Sequence, residues 1–591
     1  MLLNDIEKSS SGGLLYQLHI KKIFCDVSII SHQKYVKYTD GEMEIYCMSS
    51  EYSKFSDHVK THEITQLALI IQKRISEGIF VLVNSQEIII GGALFDTSLC
   101  WSKLDGTMVV SDSAWNIAQY FNLDISKVAV ALNLISSLPY YPFQNVSMWE
   151  NVEKVQPFCV LKNGKNQTFE EVKIWDIPDL NHDMDLTLKN IREGFLEVIR
   201  SSNRYANVSA DLSGGVDSAS VAYLLKFCDT DVKLYHTKTD NSWNSDSKWA
   251  ASFAEDMNIP LNTLSSLGES GKRYDIDTPY SGSKLPDHPI FWADTEGYVE
   301  KIVSLKENPG NSIHFTGLGG DELFTPMPAY AWTLVRQNKL RSLSLGFRYC
   351  LISRISFLKG MSDLINNMPF KEAIKSEIGI GFGYNKSNKK DSALAWSGKI
   401  NVPAWINQDS LSLSHKAAVN AVDKISGGLD SDRSKHQALE SLLFQTRVIG
   451  QLNLIYGEEY KWKSPFLDTK IIESALSIPM RHHLKSEITK PMLHKATVGI
   501  VPSEVFTRGF KGDYSTALYK GYKEAVNEII SIVKDLNVVK LGVVDPDILV
   551  SELSMPTALH NRVIDFERLC AVERWLKNTI DFKKTAKVVN I

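Results

Sequence analysis

No two cysteines of this chain are spaced as Cys-x-x-Cys, and the seven present, Cys25, Cys47, Cys100, Cys159, Cys228, Cys350 and Cys570, form an odd and scattered set without a neighbouring histidine ligand pattern. That excludes a disulfide framework and a thiolate zinc site, and the thiols are expected to be reduced and mostly buried, as in a cytoplasmic protein. Long hydrophobic runs are missing as well: none reaches the ~18 residues of a membrane span, and the first residues, Met1 to Lys8, lack a basic stretch followed by an apolar one. Neither secretion nor a membrane is expected. Charge of one sign is also lacking. Lys+Arg 65 against Asp+Glu 69 leaves a net charge of −4, with no basic run interleaved with aromatics, so nucleic acid is not an expected partner. What is there is 591 residues with 43% hydrophobic, 23% charged and 10% aromatic side chains, the profile of a folded protein with large cores.

Up to about Trp175 the chain reads mainly as short strands, among them Ile79 to Asn84, Glu87 to Ile90, Thr107 to Ser111 and Phe158 to Lys162, punctuated by Gly, Asn and Asp. A polar stretch from Asp176 to Asp185 containing Pro178 reads as a linker. It divides an α+β unit, residues 1–180, from a second unit, residues 181–591. Beyond it helices and apolar runs alternate: a helix over Leu186 to Ser201, strands at Val208 to Leu212, Val232 to Thr237 and Ser312 to Thr316, helices from Ala219 and over Lys248 to Met257. That alternation predicts an α/β domain with a parallel sheet wrapped by helices. From Tyr330 onward the pattern is mostly helical, broken by a polar stretch, Asn385 to Ser392, that reads as a loop.

The most informative residues are Ser213-Gly214-Gly215-Val216-Asp217-Ser218, between a short apolar strand and an apolar helix. Two glycines let consecutive N–H groups face one point, and the helix start adds partial positive charge, which together make a cradle for phosphate oxygens. Ser213 and Ser218 supply further donors. Asp217 would repel phosphates unless a cation lies between, so the loop implies Mg²⁺ bound with the nucleotide. A second acidic loop, Gly317-Leu318-Gly319-Gly320-Asp321-Glu322, also follows an apolar strand. In a parallel sheet both loops lie at carboxyl ends of strands, so Asp217 and Asp321 are expected to meet across one metal. Gly268 to Arg273 has the wrong spacing for a Gly-x-x-x-x-Gly-Lys-Ser/Thr loop and reads as a surface turn.

Ser-Gly-Gly-x-Asp-Ser resembles the PP-loop of enzymes that cleave ATP to AMP and pyrophosphate. With the second loop and Ser464-Pro465-Phe466-Leu467-Asp468, the chain resembles the asparagine synthetase family. The resemblance implies a glutaminase-like (Ntn-type) N-terminal domain and a C-terminal PP-loop ATP pyrophosphatase domain with helical additions. The glutaminase nucleophile of that family is a Cys following Met1; position 2 here is Leu, which implies an amine brought by the substrate in place of glutamine-derived ammonia. Three stretches resemble the lasso-peptide macrolactam synthetase (lasso cyclase) branch: Gly320 to Tyr330, Lys490-Pro491-Met492-Leu493, and Arg508-Gly509-Phe510-Lys511-Gly512-Asp513-Tyr514-Ser515. The rival branch, β-lactam and other small-molecule amide synthetases, carries a Tyr where this chain has Leu318, and the Glu that asparagine synthetases carry before Pro-Phe-Leu-Asp aligns with Lys461. Glu458 and Glu459 are nearby acids that could replace it. A scaffold that lost catalysis would not be expected to keep Asp217, Asp321 and Lys511 together. A tRNA-modifying PP-loop enzyme is disfavoured by the lack of a basic surface.

The resemblance implies ATP and Mg²⁺ as cofactors, with the phosphates on Ser213, Gly214, Gly215, Asp217, Ser218, Gly319 and Gly320. It further implies a precursor (core) peptide as substrate, and as partners a leader-recognition protein and a leader peptidase. Lys511 is the expected cation stabilising charge in the transition state. Trp332, Trp396 and Trp405 are candidates for a peptide-holding wall, with the hydrophobic core as the alternative, and His482-His483 is expected to form a surface turn.

Overall fold

The computed structural model describes residues 4–589 except 7–14, 23–24, 32, 41, 60–62, 76, 97, 105, 136–139, 164–168, 239–243, 265–271, 281–284, 292, 306–309, 338–341, 353–355, 385–393, 458–459, 485–486, 509–511, 513–514 and 556–559. The expected loop at 385–392, Glu458, Glu459 and Lys511 lie outside the described residues.

Among the described residues of 4–173 there are twelve strands, β1 (Asn4–Ile6), β2 (Leu15–Lys22), β3 (Cys25–Ser31), β4 (Tyr35–Asp40), β5 (Met43–Met48), β6 (Ile79–Val83), β7 (Ile88–Gly92), β8 (Cys100–Leu104), β9 (Thr107–Ser111), β10 (Glu153–Lys154), β11 (Cys159–Asn163) and β12 (Phe169–Lys173); they pair into two six-stranded sheets, ordered β1-β2-β3-β9-β8-β10 and β12-β11-β7-β6-β5-β4. Strand β6, Ile79–Val83, is buried at all five positions, and its alternation explains why. Ile79, Val81 and Val83 enter a core shared with Leu18, Val27 and Val110 of the other sheet. Phe80 and Leu82 point the opposite way, onto Leu67, Ala68 and Ile71 of helix α1, Ile64–Arg74. A strand covered on both faces reads as a continuous apolar run, and this one does. The outer face of the first sheet, with Cys100 and Val109, packs on helix α2, Ala114–Phe121, and on helix α3, Lys127–Leu134. Residues 4–173 thus stack as helix, sheet, sheet, helix.

Residues 176–183 carry no helix or strand. Helix α4, Met184–Arg200, then begins on Asp183, whose side chain accepts from Leu186 N at 3.0 Å, a cap for an orphan N–H. Its buried Ile191, Phe195, Val198 and Ile199 recur at helical spacing. The third sheet follows: β13 (Asn207–Asp211), β14 (Val232–Thr237), β15 (Leu261–Leu264), β16 (Ser312–Phe315) and β17 (Lys461–Lys463), ordered β15-β14-β13-β16-β17 and parallel throughout. One face, with Val208, Ala210, Ile313 and Phe315, covers α4 and helix α5, Val216–Phe227. That core also takes in Leu94, Phe95 and Trp175 from the preceding chain, so the two halves share apolar packing. The remaining helices used below are α6 (Asp246–Met257), α7 (Ala293–Ser304), α8 (Gly320–Phe324), α9 (Arg433–Tyr456), α10 (Thr469–Leu476), α11 (Pro491–Ala496) and α12 (His560–Val589).

One open choice is decided and one expectation is corrected. Trp332, Trp396 and Trp405 are buried, with Arg433 lying over the first two rings at 4.9 and 5.3 Å; they are core and do not form an exposed wall. His482 ends a short 3-10 turn as expected, but His483 is only 6% exposed, and burial pushes its imidazole down to about 4.

Candidate active site

Because β13 and β16 are hydrogen-bonded neighbours, the loops that leave their carboxyl ends are side by side. The first curls through Gly214, held at φ +85°, a conformation open mainly to glycine. A Cβ there would lie 2.3 Å from the Asp246 carbonyl oxygen. Ser218 Oγ closes the loop: it accepts from Ser213 N at 3.1 Å and pairs with Ser213 Oγ at 2.8 Å. Helix α5 then starts at Gly215, which brings no side-chain cap. A glycine at a helix start in a strand-loop-helix turn is the usual basis of an anion site.

The second loop is pressed onto the first. A Cβ on Gly317 would sit 2.8 Å from Ser218 N, and one on Gly320 would sit 2.3 Å from Asp217 Oδ1. Gly319, at φ +94°, turns the chain into α8. Ser464 Oγ donates to Leu318 O at 2.5 Å, and Phe466 and Leu467 fill the space beneath Gly319. Pro465 and Phe466 are buried, and Asp468 caps α10 through Lys470 N at 3.0 Å. The third motif therefore braces the second loop.

Asp217 and Asp321 do converge, but the cation between them is a side chain. Lys490 Nζ donates to Asp217 Oδ1 and Oδ2, each at 2.6 Å, and lies 2.7 Å from Asp321 Oδ1. Its side chain is 4% exposed. Burial disfavours the charge, yet the two carboxylates outweigh it and hold the ammonium above its usual range. The Lys490 backbone is left-handed, φ 54°, at the cap before α11.

Arg508 ties the site to the next strand's loop. Its guanidinium donates to the Gly214 carbonyl and to buried Asp246, whose Oδ1 also accepts from Gly512 N at 3.2 Å. Arg508 and Gly512 are thereby anchored on the cradle.

Behind the cradle, Asp211, the last residue of β13, accepts from Tyr298 of α7 and from His314 Nε2 at 2.9 Å. His314 Nδ1 faces Ser209 Oγ at 2.9 Å, which in turn meets Tyr460. With Tyr460 donating to Ser209, Ser209 to His314 and His314 to Asp211, every donor in the chain has an acceptor.

Residues 201–577 match the family model for asparagine synthase. The chain belongs to the asparagine synthase family. The glutamine-hydrolysing asparagine synthetase 3 of Bacillus subtilis (strain 168) is 21% identical over 404 residues, which cover 66% of this chain and 58% of that protein. Among solved structures, an NH3-dependent NAD synthetase from Campylobacter jejuni is 18% identical, covers 24% of this chain and 59% of its own, and has a TM-score of 0.18. An NMN synthetase from Francisella tularensis is 13% identical, covers 46% and 92%, and has a TM-score of 0.14.

In this asparagine synthase-family chain the donor set fits a hard divalent cation. Two carboxylates at the cradle match the way Mg²⁺ is usually held, by one or two acids with phosphate oxygens completing the shell. Among the described residues no group of three or more His, Cys, Asp or Glu could hold a metal alone. Ser213, Gly214, Gly215, Asp217, Ser218, Gly319, Gly320 and Asp321 all lie at this one place. Lys461 does not: its Nζ pairs with Glu77. Leu318 is half-buried, its carbonyl engaged by Ser464. Lys490, Asp211, His314 and Tyr298 were not singled out for roles from the sequence. For Lys490 the sequence signal is the Lys490-Pro491-Met492-Leu493 stretch, in which the Pro marks a helix start.

Proposed function

We propose that this protein is an ATP-dependent, AMP-forming amide ligase that closes a macrolactam ring on a precursor peptide. The observation that carries the nucleotide chemistry is the triad Asp217–Lys490–Asp321 beside a phosphate cradle. In the proposed reaction a peptide Asp or Glu carboxylate oxygen bonds to the α-phosphorus, the bond to the β-phosphate oxygen breaks, and pyrophosphate leaves. The peptide's N-terminal amine then attacks the acyl-adenylate carbonyl, a C–N bond forms, the amine loses a proton, and AMP departs.

The cradle N–H groups and Ser213 and Ser218 hold the phosphates. Asp217 and Asp321 would hold Mg²⁺, which when bound supplies positive charge to the pyrophosphate. Lys490, poised on the same two acids, donates to phosphate oxygens where charge accumulates, and a fixed cation away from water is worth most there. An α-amine titrates near ~7.7–8.0, so a useful fraction is neutral at neutral pH without a strong base. That fits a site with Leu318 in place of the Tyr of the β-lactam-forming branch, and with Lys461, at the position of the asparagine synthetases' Glu, paired with Glu77.

Support for an amine from the substrate comes from the thiols. Burial pushes Cys25 up, Cys47 and Cys159 up to about 12, and Cys100, Cys228 and Cys570 up as well, opposite to what a nucleophile needs. Support for an Ntn-type ancestry of residues 1–180 is the helix, sheet, sheet, helix stacking. Support for the lasso branch is the Arg508 to Ser515 stretch, of which Arg508 and Gly512 are held at the cradle; Lys511, the second cation of this reading, lies outside the described residues. That branch carries with it a leader-recognition protein and a leader peptidase as partners. The test is pyrophosphate release with ATP, Mg²⁺ and a leader-free peptide. Asp217→Asn is expected to abolish it, and an unaffected variant would remove the reading.

A further inference from the structure

Two helices, Ser342–Ile352 and Phe357–Ile365, pack onto Trp332 and Leu394 through Tyr349, Cys350 and Leu364. Ser356 Oγ accepts from Lys359 N at 3.4 Å and opens the second helix. Past its other end, Arg336 donates to Leu364 O at 3.0 Å, and Trp332 and Arg433 donate to Asn366 O, each at 2.9 Å. The inward face is thereby fixed, and the outward one should be polar. It is not. Ser344, Phe347, Arg348 and Leu351 form one exposed stripe of the first helix, at i, i+3, i+4 and i+7, and Leu358, Ser362 and Ile365 form one on the second. Phe357 is exposed as well, and its ring lies 6.5 Å from that of Phe347, which joins the two stripes. Apolar side chains exposed together mark a contact surface, where the same residues scattered singly would not.

Charge says what that surface meets. From Leu323 to Ser362 the sequence holds six basic residues, Arg336, Lys339, Arg341, Arg348, Arg354 and Lys359, and no acid, in a chain whose acids outnumber its bases, 69 to 65. Arg348 stands exposed between Phe347 and Leu351 on their stripe. Asp363, the first acid to follow, has its Oδ2 buried, and its charge acts on buried Arg433. Two copies meeting through this face would set like charges together. Leu358 is 83% exposed, a knob with no groove around it, and lipid closes around a knob where a flat protein surface does not. Run length excludes a membrane span, but a helix lying in the interface needs only one apolar face flanked by cations.

We infer that these two helices seat the protein on an anionic lipid bilayer, with Phe347, Leu351, Phe357, Leu358 and Ile365 entering the boundary of headgroups and acyl chains and Arg348 on the lipid phosphates. Neither helix carries a cradle residue, so the inference stands apart from the ligase reading.

Co-sedimentation of the full chain with vesicles tests it, comparing phosphatidylcholine alone with phosphatidylcholine and phosphatidylglycerol in roughly equal parts. The protein is expected to bind the mixed vesicles, and the neutral ones at least ~5-fold more weakly. Leu358→Ser weakens binding about 10-fold, the loss of one buried leucine. Arg348→Gln weakens it about 5-fold on the anionic vesicles only. Both side chains are exposed, and melting curves of each variant confirm folding. No binding to anionic vesicles, or binding that neither substitution weakens, overturns the surface. Equal binding to both kinds of vesicle overturns the anionic assignment. Sedimentation equilibrium without lipid is expected to show no association through this face; a dimer that Leu358→Ser dissociates would give the face to a second copy and overturn the inference.

Discussion

Lys490 is the residue on which the two acidic loops close. Its ammonium is favoured in the folded protein, so the stabilisation it gives is present below the free lysine value near ~10.4 and is lost only as pH rises through the higher folded one. The site is therefore set through neutral pH. Lys490→Met is expected to slow pyrophosphate release in a single turnover by roughly 10²–10³-fold, the usual cost of one preorganised charge donor. Asp112 behaves oppositely. Burial pushes its carboxyl up to about 6, although Ser31 donates to it at 2.7 Å. The folded state then binds the proton more tightly than the unfolded one, and stability falls as pH rises from about 4 to about 6. Asp112→Asn keeps the Ser31 bond and is expected to remove about 2–3 kcal/mol of that pH-dependent loss, read as urea midpoints at pH 4 and pH 7. Both carboxylates of the cradle were legible in the sequence because glycines and strands flank them. Lys490 was legible only as the head of the Lys490-Pro491-Met492-Leu493 stretch, because its place between the two acids depends on a contact with Asp217 273 residues away in sequence.

At the scale of elements, the cradle depends on close backbone approach. Gly214→Ala forces a Cβ to 2.3 Å from Asp246 O at positive φ, whereas Gly106, at φ +80°, has nothing within 4 Å. Gly106→Ala should cost only the ~1–2 kcal/mol of a left-handed residue. Gly214→Ala should cost more in urea unfolding and should also lose nucleotide binding. Strand β14 was read from the sequence with its observed ends, and β6 within one residue, since both are apolar runs bounded by turn residues. Strands β15 and β17 were missed. The first is four residues long with Asn262 and Thr263 exposed, and the second, Lys-Trp-Lys, shows a single apolar residue at the sheet edge. Short edge strands carry too little pattern to be told from loops. The Arg508 stretch was legible as a motif but its task was not. That Arg508 holds the Gly214 carbonyl depends on a contact 294 residues apart in sequence.

Across the whole molecule, the outer face of the first N-terminal sheet, with Ile30, Cys100 and Val109, packs into one core with Tyr235, Leu264 and Trp462 of the parallel sheet, so the first half supports the second whether or not it retains chemistry of its own. No helix among the described residues is long and apolar enough to cross a membrane. With Cys25, Cys47, Cys100, Cys350 and Cys570 buried, and burial raising Cys25, Cys47, Cys100, Cys159, Cys228 and Cys570, iodoacetamide is expected to leave peptide-dependent pyrophosphate release unchanged; rapid inactivation would point back to a cysteine nucleophile. The central claim is that a substrate carboxylate is joined to the α-phosphate of ATP. The most direct measurement places ¹⁸O in the side-chain carboxyl of a leader-free peptide and weighs the nucleotide product. The account predicts AMP carrying one ¹⁸O, with a peptide lighter by one water; ADP, or AMP without the label, would contradict it.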